Sequence, residues 1–233
     1  MATQIIKAFT AGATREGLSL CSGPFAAQTG ITIEAHTNHG HVIEQEVTAG
    51  NVDDDIVLLT TGMIDHLAGQ KLVDVSTRTT LGTIRIGAAV RDGAPVPDVS
   101  TTEAVKNVLL SAKSIVLTEA PSGVHMDRLI VEMGLDQQLA DRITRFDTGT
   151  MVNEHLAASS AEQEIAFGVA TEILFFRNKG MDYAGPLPNE MQMALDYEAV
   201  MLSGCRKLDA VKKLFTYLRS AEANTLFAQT GVG

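Results

Sequence analysis

The chain has no tryptophan, three tyrosines and two cysteines in 233 residues, and aromatic residues of all kinds make up only 5%. The flat aromatic platforms that sugar and quaternary-ammonium sites use are therefore missing. Cys21 and Cys205 lie far apart with no ligand spacing, so neither a disulfide framework nor a thiolate metal centre is expected. Positive charge is also scarce. Lys and Arg number 18 against 28 Asp and Glu, which gives a net charge of −10 and a pI near 5.0. No basic patch is large enough to release many counterions, which excludes nucleic acid and an anionic membrane surface as main partners. No apolar run approaches the roughly 18 residues of a membrane span, and no basic and apolar leader opens the chain. Met1-Ala2-Thr3-Gln4 reads either as a native start or as the replacement of a removed leader. The location is accordingly periplasmic if a leader was removed and otherwise cytoplasmic.

What is present is a hydrophobic share of 45% and a mean hydropathy of +0.11, the composition of a soluble globular protein with one large or two small domains. The organising stretch is SIVLTEAPSGVHMDRLIVEMG at 114–134. Residues 114–117 form a short apolar strand, Pro121-Ser122-Gly123 breaks it, and Val124, Leu129, Ile130 and Met133 recur at helical spacing with Ser122 in the N-cap place. A helix that starts directly after a strand aims its free N–H groups past the strand's carboxyl end, where Ser122 and Gly123 leave room for an anion. The same order recurs. Strands at 5–9, 31–35 and 56–60 run into small turns and then helices reaching about residue 28, over 42–49 and over 63–68. This alternation predicts parallel sheets with the ligand beyond the carboxyl ends of the strands.

Further along, 83–90 (TIRIGAAV) reads as one strand, Ser100 and Glu103 have capping-box spacing, and 135–144 reads as helix. Thr148 and Thr150 stand at the start of a helix over 151–159. Residues 165–170 form a strand ending at Thr171-Glu172. Residues 180–189 are irregular, 191–202 reads as a second long strand, and 207–218 and 221–229 are helices. The pattern divides into one lobe of 1–82 plus 198–233 and another of 83–197, with two crossovers and a ligand cleft between them. That is an α/β fold of the two-lobed, type II periplasmic-binding-protein kind.

The segments AFTAGATREGL, DDDIVLLTTGMIDHL, AAVRDGAPVPDVSTTEAVKNVLLSAKSIVL, PSGVHMDRL and AVMLSGCRKLDAVKKLFTYL resemble the molybdate-binding-protein-like group of solute-binding proteins, over nearly the whole chain and in the same order. Within that group AVRDGAPVPDVS, SGVHMDRL and FGVATEIL are most similar to the aconitate isomerases, which interconvert trans- and cis-aconitate on this fold. The departures are informative. Molybdate binders hold their oxyanion with small hydroxyl side chains and amides in the first two turns. Here Ala13 stands near the expected serine, beside Thr14 and Arg15, and the second turn is Asn38-His39-Gly40-His41. Imidazole and guanidinium suit a larger, flatter carboxylate better than a compact tetrahedral oxyanion.

The candidate substrate contacts are Thr10, Gly12, Thr14, Arg15, Asn38, Ser122, Gly123, His125, Thr148, Thr150 and Thr171. Arg15 sits in the first turn of a helix, where a cation is unfavourable unless an anion is also there. His36, His39 and His41 have a spacing open to metal, but no carboxylate or thiolate accompanies them in the loop, so no metal is assigned. His39 and His41 are the first candidates for a proton shuttle, since imidazole exchanges protons near neutral pH, and Glu172 is the second. Glu172 reads equally as a hinge contact. The resemblance implies a cofactor-independent allylic isomerase of a small unsaturated polycarboxylate. The alternative is a non-catalytic substrate-binding protein that hands a carboxylate or molybdate to an ABC transporter permease.

Overall fold

A computed structural model describes residues 4–193 and 195–233, so the start at Met1-Ala2-Thr3 lies outside the described residues. In chain order the elements are β1 (Gln4–Ala11), α1 (Gly12–Thr29), β2 (Ile31–Asn38), α2 (Gly40–Ala49), β3 (Ile56–Thr60), α3 (Thr61–Gly69) and β4 (Val73–Ile84). Next come β5 (Ile86–Arg91), α4 (Thr102–Ser111), β6 (Ser114–Thr118), α5 (Pro121–Glu132), α6 (Asp136–Leu139), β7 (Ile143–Phe146) and α7 (Gly149–Ala158). The last are β8 (Glu164–Val169), α8 (Ala170–Phe176), β9 (Met181–Pro186), β10 (Leu195–Leu202), α9 (Leu208–Leu218) and α10 (Ala221–Gln229). The chain divides into two compact units: unit 1 is Met1–Ile84 with Leu195–Gly233, and unit 2 is Arg85–Ala194. No described helix is long and apolar enough to cross a membrane.

Unit 1 has a five-stranded sheet in the order β2-β1-β3-β10-β4, with β1 parallel to β2 and β3 and with β10 antiparallel to β3 and β4. Unit 2 repeats the scheme as β7-β6-β8-β5-β9, with β6 parallel to β7 and β8 and with β5 antiparallel to β8 and β9. The expected parallel sheets are thus corrected to mixed ones. Strands β4 and β10 carry the chain out of and back into unit 1 at the edge where β1–β3 end. Because β10 enters from that edge, it must run against them.

Side-chain alternation assigns each sheet's two faces. In β6, Ile115 and Leu117 join a core with Val105, Leu109, Met126 and Ile130, while Val116 faces the other way onto Val152, Leu156 and Ile173. In unit 1 the fully buried side chains include Ile6, Leu18, Phe25, Ile56, Leu58, Leu59, Ile64, Leu67 and Phe227. Burying each such side chain stabilises by about 1.5–3 kcal/mol relative to exposure.

Several boundaries differ from the sequence reading. Residues 135–144 form only the short α6 and a 3-10 turn at Ala140–Arg142 before β7 begins at Ile143. The Thr-rich segment of β4 is a strand, favoured by β-branched residues that pack on β10. The run TIRIGAAV is split at Arg85 between β4 and β5, 181–186 is the strand β9, and the last long strand begins only at Leu195. Helix α4 is capped by Thr101, whose side chain accepts from Ala104 N, and α5 starts after Ala120 with Pro121 in its first turn. Ser122 therefore lies inside α5, and Val124 is exposed.

Within unit 2 the outgoing chain is clasped to the incoming one. Gln192 Oε1 accepts from Ile86 N at 2.9 Å, and Gln192 Nε2 donates to Ile86 O at 2.9 Å and Leu187 O at 2.7 Å. In unit 1, Leu195 pairs with Ile84, and Thr83 Oγ1 donates to Asp196 Oδ1 at 2.6 Å.

Two stability predictions follow from this packing. A Cβ on Gly123 would overlap the carbonyl oxygen of Thr118, whereas one on Gly23 in α1 meets nothing within 4 Å. Denaturant melts should show Gly123→Ala destabilised by about 1–3 kcal/mol and Gly23→Ala neutral or stabilised. The second concerns Glu164, which is buried, with Ser114 Oγ donating to its Oε1 at 2.7 Å and His155 Nε2 3.3 Å from the same atom. Burial pushes this carboxyl up, but hydrogen bonding from Ser159, Ser114 and His155 outweighs that and holds it below its ordinary 4.5. Its stabilisation is present above the unfolded-state value and is lost as pH falls through the folded one. Glu164→Gln should lower the melting temperature near neutral pH and flatten its decline in acid, as read by thermal melts across about pH 3–7.

Candidate functional site

In each sheet one strand lies between the two that follow it in the chain, β1 between β2 and β3 and β6 between β7 and β8. The connections therefore diverge at β1 and at β6, and the crevice at such a switch point is where open α/β sheets take ligands. The two rims are described in turn.

In unit 1, strands β1, β2 and β3 pass almost directly into α1, α2 and α3. The residues at the helix caps, Ala11, His39 and Thr60, are all extended and none makes a side-chain cap hydrogen bond. The first N–H groups of three helices thus point off one edge without a capping side chain. By contrast α4, α7 and α10 are capped by Thr101, Thr148 and Ser220.

Thr10 and Thr14, expected to touch substrate, do so at most through their backbone. Both are 0% exposed, their hydroxyls lie 2.8 Å apart, and each donates to Ala11 O. Their role is to pin the β1–α1 turn, with Gly12 as its first helical residue. Arg15 is exposed one turn further. Asn38 Oδ1 accepts from His39 N at 2.9 Å, which fixes the second turn. His39 and His41 are both exposed, with ring centroids 5.7 Å apart and planes at 11°. His36 belongs to neither: it lies on β2, its ring 4.1 Å from that of Phe9 and its Nδ1 3.5 Å from Asp54 Oδ1. Among the described residues no group of three or more His, Cys, Asp or Glu is placed to hold a metal ion.

In unit 2, Thr118 Oγ1 accepts from Ala120 N at 3.1 Å and so shapes the β6–α5 turn that carries Ser122 and Gly123. Ser122 is 6% exposed. His125 corrects the expectation of a substrate contact. It is 7% exposed, Nε2 lies 2.9 Å from Met191 O, and Nδ1 lies 2.8 Å from Arg128 Nη2. The arginine can only donate, so Nδ1 accepts and Nε2 carries the proton toward the carbonyl. Both ring nitrogens are committed to holding α5 in place.

Thr148 caps α7, accepting from Met151 N at 3.1 Å, and Thr150 is exposed in the first turn. The Glu172 carboxylate occupies the place that a Gly149 Cβ would take, which sets it against the start of α7. Beside it, Thr171 is 5% exposed and its hydroxyl has no hydrogen-bond partner among the described residues.

Two residues on this rim escaped the sequence reading. Antiparallel β5 begins where β8 ends, so Arg85 stands at the edge, accepting from Ala170 N at 2.8 Å through its carbonyl and reaching Asn189 Oδ1 at 3.4 Å. Burial raises the phenol of Tyr183 above its ordinary value of 10.0, and the charge of Arg85 pulls it back. A lone arginine inside the apolar run TIRIGAAV was the available signal.

Comparison with known proteins agrees with this architecture. The chain superposes on the periplasmic molybdate-binding protein of Azotobacter vinelandii with a TM-score of 0.77 at 15% identity, over 98% of each chain. On the sulfate-binding protein SubI of Mycobacterium tuberculosis the TM-score is 0.75 at 14% identity, over 98% of this chain and 86% of that one. These likenesses fix the fold as the α/β type II periplasmic-binding-protein fold. In sequence it is 29% identical over 188 residues to an aconitate isomerase from a Pseudomonas species, covering 79% of this chain and 69% of that one. With residues 6–232 matching the family as a whole, the chain belongs to the bacterial extracellular solute-binding proteins.

Proposed function

We propose that the protein is a cofactor-independent allylic isomerase that interconverts trans- and cis-aconitate or a close polycarboxylate. The observation that carries this reading is the pair of exposed, stacked imidazoles, His39 and His41, at the uncapped start of α2. They share an edge with the start of α1 and with Arg15, on a chain similar to an aconitate isomerase.

Moving the double bond is a 1,3-proton shift. A base takes a proton from the CH₂ beside a carboxylate, the electron pair spreads over the allyl system onto carboxylate oxygen, and the same proton equivalent returns at the far carbon. The conformation in which the CH₂–carboxylate arm is held as its proton leaves sets the geometry of the new double bond, so trans becomes cis without a separate rotation. His39 or His41 is the proposed shuttle, with Glu172 the second candidate. Helix-start amides at Gly12–Thr14, Ser122–Gly123 and Thr150, together with the Arg15 guanidinium, are proposed to bind the carboxylates and stabilise the charge that develops. Asn38, Thr148 and Thr171 complete the proposed contacts, and Arg85 joins them as a second guanidinium.

A second reading, a non-catalytic binding protein that delivers its ligand to an ABC transporter permease, draws support from the family and from the oxyanion-binding structural relatives. It places the protein in the periplasm. Molybdate fits it poorly, because the Thr10 and Thr14 hydroxyls are buried and bonded to the turn itself.

Incubating pure protein with trans-aconitate and following the vinyl proton by NMR should show the cis isomer accumulating to equilibrium. Stoichiometric tight binding without turnover would replace the isomerase reading with the transport one. Replacing His39 or His41 by Ala should lower kcat by about 10²–10⁴-fold at the position that carries the proton, with KM little changed. Equal losses in binding and turnover would reassign both rings to anchoring.

A further inference from the structure

The start of α2 has a neighbour with a chemistry of its own. Met63, the third residue of α3, lays its thioether on Gly40, the first residue of α2: a Cβ on that glycine would stand 2.8 Å from Met63 Sδ and 3.1 Å from its methyl carbon Cε. Because Gly40 has no side chain, the sulfur rests against the backbone of the residue between His39 and His41. Met63 itself is only half-buried, so small solutes reach it. We propose that Met63 is a site of oxidative modification, and that its sulfoxide closes the start of α2 to anions.

The effect follows from what the sulfur faces. His39 makes no side-chain cap hydrogen bond, and the first amide of this turn to reach a helix carbonyl is Ile43 N, 3.0 Å from His39 O. The N–H groups of Gly40, His41 and Val42 are therefore left for an outside acceptor. A thioether is a weak one. When its sulfur attacks hydrogen peroxide, an S–O bond forms as the O–O bond breaks, and the leaving hydroxide takes the proton of the transferred oxygen and departs as water. The sulfur is oxidised by two electrons to a sulfoxide and the peroxide is reduced. The new oxygen is a strong acceptor on the atom that already lies on Gly40, so the protein caps α2 with its own side chain and an anion loses those donors. Position sets Met63 apart from the other methionines. Among the described residues Met126, Met181, Met191 and Met201 are buried, Met133 and Met193 pack on the core of unit 2, and the amide of exposed Met151 is already taken by Thr148. The capping stands on this geometry alone, and its consequence for turnover rests on the isomerase reading.

Brief treatment with millimolar hydrogen peroxide, followed by peptide mapping and amide hydrogen exchange, tests it. The expected result is an added oxygen on Met63, exchange of the 40–42 amides slowed by about tenfold, and aconitate turnover lowered by about tenfold or more. Met63→Leu, which keeps the apolar volume, should show neither change after peroxide, whereas Met151→Leu should respond as the unaltered protein does. In Gly40→Ala the new Cβ displaces the thioether, so oxidation of Met63 should proceed there without slowing exchange at 40–42. Peroxide that leaves Met63 unmodified while Met151 reacts would overturn the proposal, as would oxidised Met63 with unchanged exchange at 40–42, or an equal loss of turnover in peroxide-treated Met63→Leu. Absence of aconitate turnover before any treatment would defeat the isomerase reading instead, and the mapping and exchange would still decide the capping.

Discussion

A helix that begins on the residue after a strand has no loop from which to draw a cap, and its first amides must find partners outside the chain or in water. Helices α1, α3 and α8 start in this way, and α2 and α5 start one and two residues further on; none of the five has a side-chain cap hydrogen bond. The sheets put those starts where they are. Because β1 and β6 each lie between their successors, their crossovers diverge. Anion binding is therefore the property that the backbone supplies most generally, and the side chains decide which anion and what happens to it.

Those side chains divide into ones that hold the frame and ones that face outward. Thr10, Thr14, Thr118 and His125 are polar and sit in or beside the turns, yet their hydrogen bonds run back into the fold. Their burial is tolerable because each has partners, and those bonds tie the turns to the rest of the fold. Gly123 serves the same end by letting α5 approach the Thr118 carbonyl. His39, His41 and Arg15 are exposed. Thr171 is the exception: it is buried, and its hydroxyl is unsatisfied among the described residues.

Much of the fold was legible because it depends on local pattern. Short apolar runs ending in small turns marked β1, β2, β3 and β6, and the helices that follow them came from the same signal. What failed depended on partners distant in sequence. The strand character of 73–84 comes from pairing with β10, more than a hundred residues later, and that of 181–186 from pairing with β5. The split at Arg85 was not read either, since strand-forming residues flank the arginine on both sides while the chain passes from one sheet to the other. At the candidate site, residue type and turn position nominated His39 and His41, which are exposed. They could not distinguish an outward histidine from His125, whose two nitrogens are occupied by Arg128 and by a carbonyl 66 residues away. Arg85 was missed because antiparallel strands bring their beginnings, not their ends, to the rim.

The clasp around Gln192 has an evolutionary and practical meaning. Where the chain leaves unit 1 and where it returns, Ile84 and Leu195 are neighbours in one ladder, and in unit 2 Gln192 ties the last residues to Ile86. The middle of the polypeptide is thus a cassette with adjoining ends. A short turn from Ile84 to Leu195 would close the outer sheet without rethreading a strand, so a gene could gain, lose or exchange the inner module by splicing at two abutting points.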